Sequence, residues 1–97
     1  MASGMTTEVI ETSVRNLINH RDLRGQSNHA YHEMAPQYVL EILKANGLDD
    51  QMARRIQFDV LYLSEIVRGF INPRAIGKLA FNKADLDQLG AQMKRKG

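Results

Sequence analysis

Apolar residues recur at three- and four-residue spacing along this chain and nowhere settle into alternation, so helix is the only periodic signal it carries. Val9, Ile10, Val14, Leu17 and Ile18 form one stripe behind Thr6 and Thr7, which can cap. This predicts a first helix over about residues 7–20. The next stretch, residues 22–35 (DLRGQSNHAYHEMA), is polar and contains a glycine, and it reads as a connector with no more than one turn of helix near its end. Pro36 suits the first position of a second helix, because its missing N–H would be unsatisfied there anyway. That helix ends at Asn46, before Gly47, and buries Val39, Ile42 and Leu43.

Beyond Gly47 the start and stop signals come quickly. Asp49 can cap a short helix through Ile56 and Gln57, and Asp59 can cap another that runs to Arg68 and stops at Gly69. Asn72 followed by Pro73 opens a short helix through Ala80. Asn82 with Asp85 three residues on resembles a capping box and opens a last helix carrying Leu86, Leu89 and Met93. Gly90 weakens that helix by about 1 kcal/mol relative to alanine. Lys94, Arg95 and Lys96 suit its C-terminal dipole. The expected fold is therefore all-α, a compact domain of five to six helices.

Composition narrows the possibilities. With 97 residues, 43% hydrophobic and 25% charged, the chain has the make-up of one ordinary soluble domain. A domain of that size buries only about 60–65% of its unfolded surface, so a second copy or another partner would help to complete its core. The chain has no cysteine, which removes disulfides, thiol nucleophiles and cysteine-ligated zinc. Its longest apolar run, residues 60–63, is far short of a bilayer span, and MASGMTTE lacks the basic start and apolar stretch of a secretory signal. No membrane association and a cytoplasmic location are expected. Met1 to Gly4, ahead of Met5, read as a cloning scar. The net charge of +2 hides an asymmetry. Residues 1–50 hold four bases and seven acids, a net −3, whereas residues 51–97 hold nine bases and four acids, a net +5. A basic half is suited to facing a polyanion.

The spacing between residues 53 and 73 is the most informative in the chain. Ala53 is small, Ile56 follows three residues on, and Leu63, Ser64 and Ile66 precede Gly69 and the pair Asn72-Pro73. A helix-turn-helix needs such an order: a small residue where two helices cross, apolar residues filling the crossing, then a terminator. With Gly47-Leu48 before it and Leu79-Ala80 after it, this stretch resembles the lambda-repressor/Cro-type (XRE) helix-turn-helix domains over about residues 39–80. The sequence departs from that pattern in three places. Gln57 stands where the family has its turn glycine, the step from Gly47 to Ala53 is one residue short, and the base-reading positions fall on Val60, Leu61 and Glu65. Valine and leucine can touch a thymine methyl, and glutamate can accept from cytosine. The resemblance implies a helix-turn-helix core with residues 59–68 in the major groove. It further implies phosphate contacts from Arg54, Arg55, Arg68, Arg74 and Lys78, with Ser64 and Asn72 as polar phosphate-contacting positions.

On this reading, residues 1–35 are an N-terminal helix and connector that could serve as a dimerisation arm, and residues 36–97 are the helix-turn-helix-like domain. The expected function is a small repressor-like transcriptional regulator that binds operator DNA as a homodimer. The alternative is a protein-binding inhibitor or adaptor that uses the apolar helix around Val60, Leu61, Tyr62 and Val67 without touching DNA. Other constellations carry less. His29 and His32 have metal-ligand spacing but no third ligand in view, so no metal or other cofactor is expected. Asp49-Asp50 and Asp85/Asp87 fall in first turns of helices, where carboxylates cap. With no glycine-rich phosphate loop and no nucleophile beside a base, enzymatic activity is not expected.

Overall fold

One helix runs through the middle of the molecule, and three others lie against it. The computed structural model describes residues 2–70 and 78–96, with side chains described over 7–70 and 78–95. Among these residues there are four helices and no strand: α1 (Ala2–Ile18), α2 (Asn28–Ala45), α3 (Asp50–Arg68) and α4 (Lys83–Lys96). The central helix is α3, which contacts each of the other three.

The stripe read in the first helix is the one α1 buries. Ile10, Val14 and Leu17 are fully enclosed, while Val9 and Ile18 pack at the edge. The second helix starts earlier than its proline suggests. Ser27 caps it, its Oγ accepting the Ala30 N–H at 3.2 Å, and Pro36 lies inside α2 rather than at its first position. An interior proline costs a helix about 3 kcal/mol. That cost is offset by burial, because Tyr31, Ala35, Val39 and Leu43 recur every fourth residue and all face the core. Pro36 also has a tertiary contact, its carbonyl accepting the Gln57 Nε2–H at 2.8 Å. The chain leaves α2 through Gly47, at φ +97°, and the boundary expected between residues 35 and 36 falls inside α2.

The two helices expected on either side of Gln57 are one helix. Asp49 caps α3 as read, accepting the Met52 N–H at 2.7 Å, and Gly69 ends it at φ +86° with the Phe70 N–H returning to the Glu65 carbonyl at 2.8 Å. Between those ends nothing interrupts the ladder. Gln57 is a good helix former where a turn would need glycine, and Asp59 does not cap the following residues. The helix-turn-helix expected at this place is therefore not formed, and four helices stand among the described residues where five to six were expected. Of the short helix expected from Asn72 to Ala80, residues 72–77 lie outside the described residues, and residues 78–80 are not helical.

The last helix begins as read, with Asn82 Oδ1 accepting the Ala84 N–H at 2.8 Å. It runs parallel to α3, since Phe81 meets Asp59, Asp87 meets Tyr62 and Gly90 meets Ile66 in ascending order along both segments. Gly90 is the point of closest approach. A Cβ added there would lie 2.7 Å from Ile66 Cγ2 and 3.2 Å from its Cβ, so the glycine that weakens α4 locally is what lets it seat on α3. Gly90→Ala is expected to lower stability by about 1 kcal/mol, because overpacking against a stiff β-branched side chain exceeds the gain in helix propensity. In an Ile66→Ala background the same substitution should stabilise by about 0.5–1 kcal/mol. Urea midpoints of the four proteins of this cycle check both signs.

Candidate functional site

The residues that the sequence nominated for DNA contact separate into two groups in space. Val60, Leu61, Ser64 and Glu65 are buried where α3 is enclosed by α1, α2 and α4, and Arg68 is largely covered. Residues 59–66 of α3 are buried without a break, so this part of the helix has no face to lay in a groove. The Ser64 hydroxyl donates back to the Leu61 carbonyl at 2.8 Å. Arg54, Arg55 and Lys78 are exposed, whereas Asn72 and Arg74 lie outside the described residues. The apolar helix of the alternative reading is likewise interior, with Val60 fully buried, Leu61 and Tyr62 almost so, and only Val67 at the edge.

Two carboxylates go into the interior with α3, and each organises a neighbour. Asp59 accepts the Ala80 N–H at 2.9 Å and the Phe81 N–H at 2.8 Å, one on each oxygen, and so clamps the chain just before α4. Burial pushes its pKa above the ordinary aspartate value despite these bonds and the nearby Arg55. Glu65 sits at the junction of α2 and α3. Its Oε1 pairs with Arg68 Nη1 at 3.0 Å, and its Oε2 lies 3.2 Å from His32 Nε2, close enough for charge attraction but not aligned for a hydrogen bond. Arg68 also reaches Asn28 Oδ1 at 3.3 Å and lies 3.5 Å over the Tyr31 ring. Burial again dominates, raising the Glu65 pKa against the opposing pull of His32 and Arg68. This cluster joins the C-terminal end of α3 to the start of α2.

A different set of side chains meets solvent at the other end of α3. Lys44, at the end of α2, reaches Asp50 Oδ1 at 2.8 Å, and Arg54 reaches Asp50 Oδ2 at 2.9 Å. These two partners, Lys44 first, hold the Asp50 carboxyl below its usual range. Arg55 makes no ion pair among the described residues, and Lys78 is exposed two residues before the clamped Ala80. Three bases, Lys44, Arg54 and Arg55, thus stand near the start of α3, where Asp50 is shared by two of them and Asp49 is engaged as the cap. An open cleft of about 270 Å³ lies in this region, lined by Asp49, Gln51, Met52 and Arg55. A larger cleft of about 350 Å³ opens between α1 and α4 beside Ile10, Phe81, Leu86 and Leu89.

Lys44, Gln51 and Met52 are the members of this region that the sequence did not nominate. The signal was a four-residue step between Gln51 and Arg55, which already lay on one face of the short helix expected from Asp49 through Gln57. His29 pairs with Glu33 at 3.1 Å, and no group of three metal-ligating side chains forms among the described residues. No helix among the described residues is long and apolar enough to cross a membrane. Comparison with family models, with curated proteins and with solved structures finds no match for this chain.

The buried carboxylates make two predictions. Asp59→Ala should cost about 2 kcal/mol by leaving two backbone N–H groups without their acceptor, and faster amide exchange at Ala80 and Phe81 would locate the loss. The raised Glu65 pKa sets the sign of a pH effect. The folded state holds this proton more tightly than the unfolded state, so its contribution is fully present below the ordinary glutamate value of about 4.3 and is lost as pH rises through the raised folded value. In urea titrations across that window, the stability of the wild-type chain relative to Glu65→Gln should therefore fall as pH rises.

Proposed function

We propose that this chain is a small DNA-binding regulator that holds duplex DNA through surface bases at the start of α3 rather than through a helix-turn-helix. The observation that carries this reading is the presence of Lys44, Arg54 and Arg55 at one helix end, where Asp50 is shared by Lys44 and Arg54, Asp49 is engaged as the cap and Arg55 makes no ion pair among the described residues. Asp50 accounts for Lys44 and Arg54, but Arg55 has no such pair among the described residues, and a cation near a helix N-terminus gains nothing from its dipole. A phosphate gives it a partner. Each neutralised phosphate releases condensed counterions, a contribution independent of sequence that supplies much of the affinity of such proteins. The expected homodimer belongs to the same proposal, since a paired chain presents two clusters to one duplex and raises the effective affinity of each.

A second reading is favoured by the cleft between α1 and α4. If the chain is an inhibitor or adaptor, the apolar surface it offers is Phe81 and Leu89 at that cleft, in place of the buried residues 60–67. Leu89→Glu should then abolish self-association on a sizing column, and the wild-type chain should show no affinity for duplex DNA at low salt.

Fluorescence anisotropy with labelled duplex DNA tests the first reading. Binding should be measurable at low salt and weaken steeply between roughly 50 and 200 mM. Combining Arg54→Ala with Arg55→Ala should reduce the slope of log affinity against log salt by about 2. Binding absent at low salt, or indifferent to salt, sinks the proposal.

A further inference from the structure

We infer that His32 and Glu65 form a proton-operated latch that holds the first half of α2 against α3, with Pro36 as the joint at which that half loosens when the proton is lost. Proline has no N–H, so Pro36 leaves the His32 carbonyl, four residues back, without its helical donor and divides α2 into residues 28–35 and 36–45. The second half is tied to α3 at the joint itself, where Gln57 Nε2–H reaches the Pro36 carbonyl at 2.8 Å, and it buries Val39 and Leu43. The first half instead meets Glu65 and Arg68, one turn apart near the end of α3.

One of these contacts carries groups that change charge near neutral pH. Arg68 stays cationic, so its reach to Asn28 Oδ1 at 3.3 Å and its place over the Tyr31 ring do not depend on a proton. The contact of His32 Nε2 with Glu65 Oε2 at 3.2 Å differs. Imidazoles change charge between about pH 5 and 8, and a carboxyl enclosed as Glu65 is keeps its proton above the ordinary glutamate range. The ionisable groups acting on Glu65 are His32 and Tyr31 from α2 and Arg68 from its own helix, and among the described residues α1 and α4 bring none. With a proton on either partner, as imidazolium or as carboxylic acid, the contact joins opposite charges or faces a donor with an acceptor. Without it, a carboxylate charge stays in the interior with Arg68 alone to balance it. The closed state therefore holds the proton more tightly than the open one, so closure is favoured at low pH and weakens as pH rises. Opening uncovers Tyr31 and Ala35, the buried residues of the first half, which keeps the open form a minor state whose population follows pH. The latch needs no ligand and stands whether or not the chain binds DNA.

Amide hydrogen exchange followed by NMR from about pH 5 to about pH 8, corrected for the intrinsic pH dependence of exchange, tests the latch. In the wild-type chain, protection at residues 32–35 should fall by about tenfold across this range, while protection at residues 39–43 changes by less than about twofold. His32→Gln should remove this response, and so should Glu65→Gln. Retained protection at residues 39–43 verifies folding, and His32→Gln, at the partly exposed end of the pair, decides even if Glu65→Gln fails to fold. His29→Gln breaks only the exposed pair with Glu33 at 3.1 Å on the same half and should keep the response. Pro36→Ala supplies the missing N–H and should make residues 32–35 and 39–43 respond alike. A flat wild-type profile, a wild-type response shared equally by both halves, or a response that survives His32→Gln or vanishes in His29→Gln overturns the latch. Halves that still respond separately in Pro36→Ala overturn the joint.

Discussion

Everything in this fold answers to the need to enclose α3. From Asp59 to Ile66 its side chains are buried in every direction, so no single partner helix can cover it. Three helices must pack around it, and the details of each serve that contact. A proline is accepted inside α2 because the stripe on either side of it faces α3, and a glycine is kept in α4 because Ile66 occupies the space of its Cβ. The two carboxylates that descend with α3 are not idle passengers. Asp59 sets where the chain turns into α4, and Glu65 joins the end of α3 to the start of α2 through Arg68 and His32.

Enclosure also decides where function can reside. A helix buried on all sides cannot read a ligand, so its chemistry is confined to its ends. The C-terminal end is occupied by Glu65, Arg68, Tyr31 and Asn28, which bind one another. The N-terminal end instead presents side chains outward. Lys44 and Arg54 neutralise Asp50, while Arg55, Gln51 and Met52 face solvent. The basic second half of the chain thus contributes locally to one end of the molecule, together with a lysine from the acidic first half.

Much of the fold was legible one residue at a time. The stripe of Ile10, Val14 and Leu17, the Asp49 cap, the Gly47 and Gly69 stops and the Asn82 start stand as read, because each is a local stereochemical preference that tertiary contacts reinforced. Where the reading failed, local and tertiary preferences disagreed. Pro36 is a start signal by itself, yet it lies in mid-helix because Tyr31 and Ala35 gain burial if the helix begins eight residues earlier. Asp59 has the composition of a cap, yet its carboxylate finds donors about twenty residues away, at Ala80 and Phe81. The likeness to a helix-turn-helix lay in the same ambiguity, since the small, apolar and terminating residues that build two crossed helices also build one enclosed helix when no glycine interrupts them.

The sequence by itself determined that the chain is helical, where three of its helices begin or end, and that its charge is divided, since these follow from short-range periodicity, capping chemistry and counting. Only the tertiary structure decided which residues are surface. Val60, Leu61, Ser64 and Glu65 look available on a helical wheel and are interior, whereas Gln51 and Met52 look ordinary and stand at the exposed end beside Arg55. Exposure depends on which other helices arrive at a face, and that is settled by contacts between residues far apart in the chain.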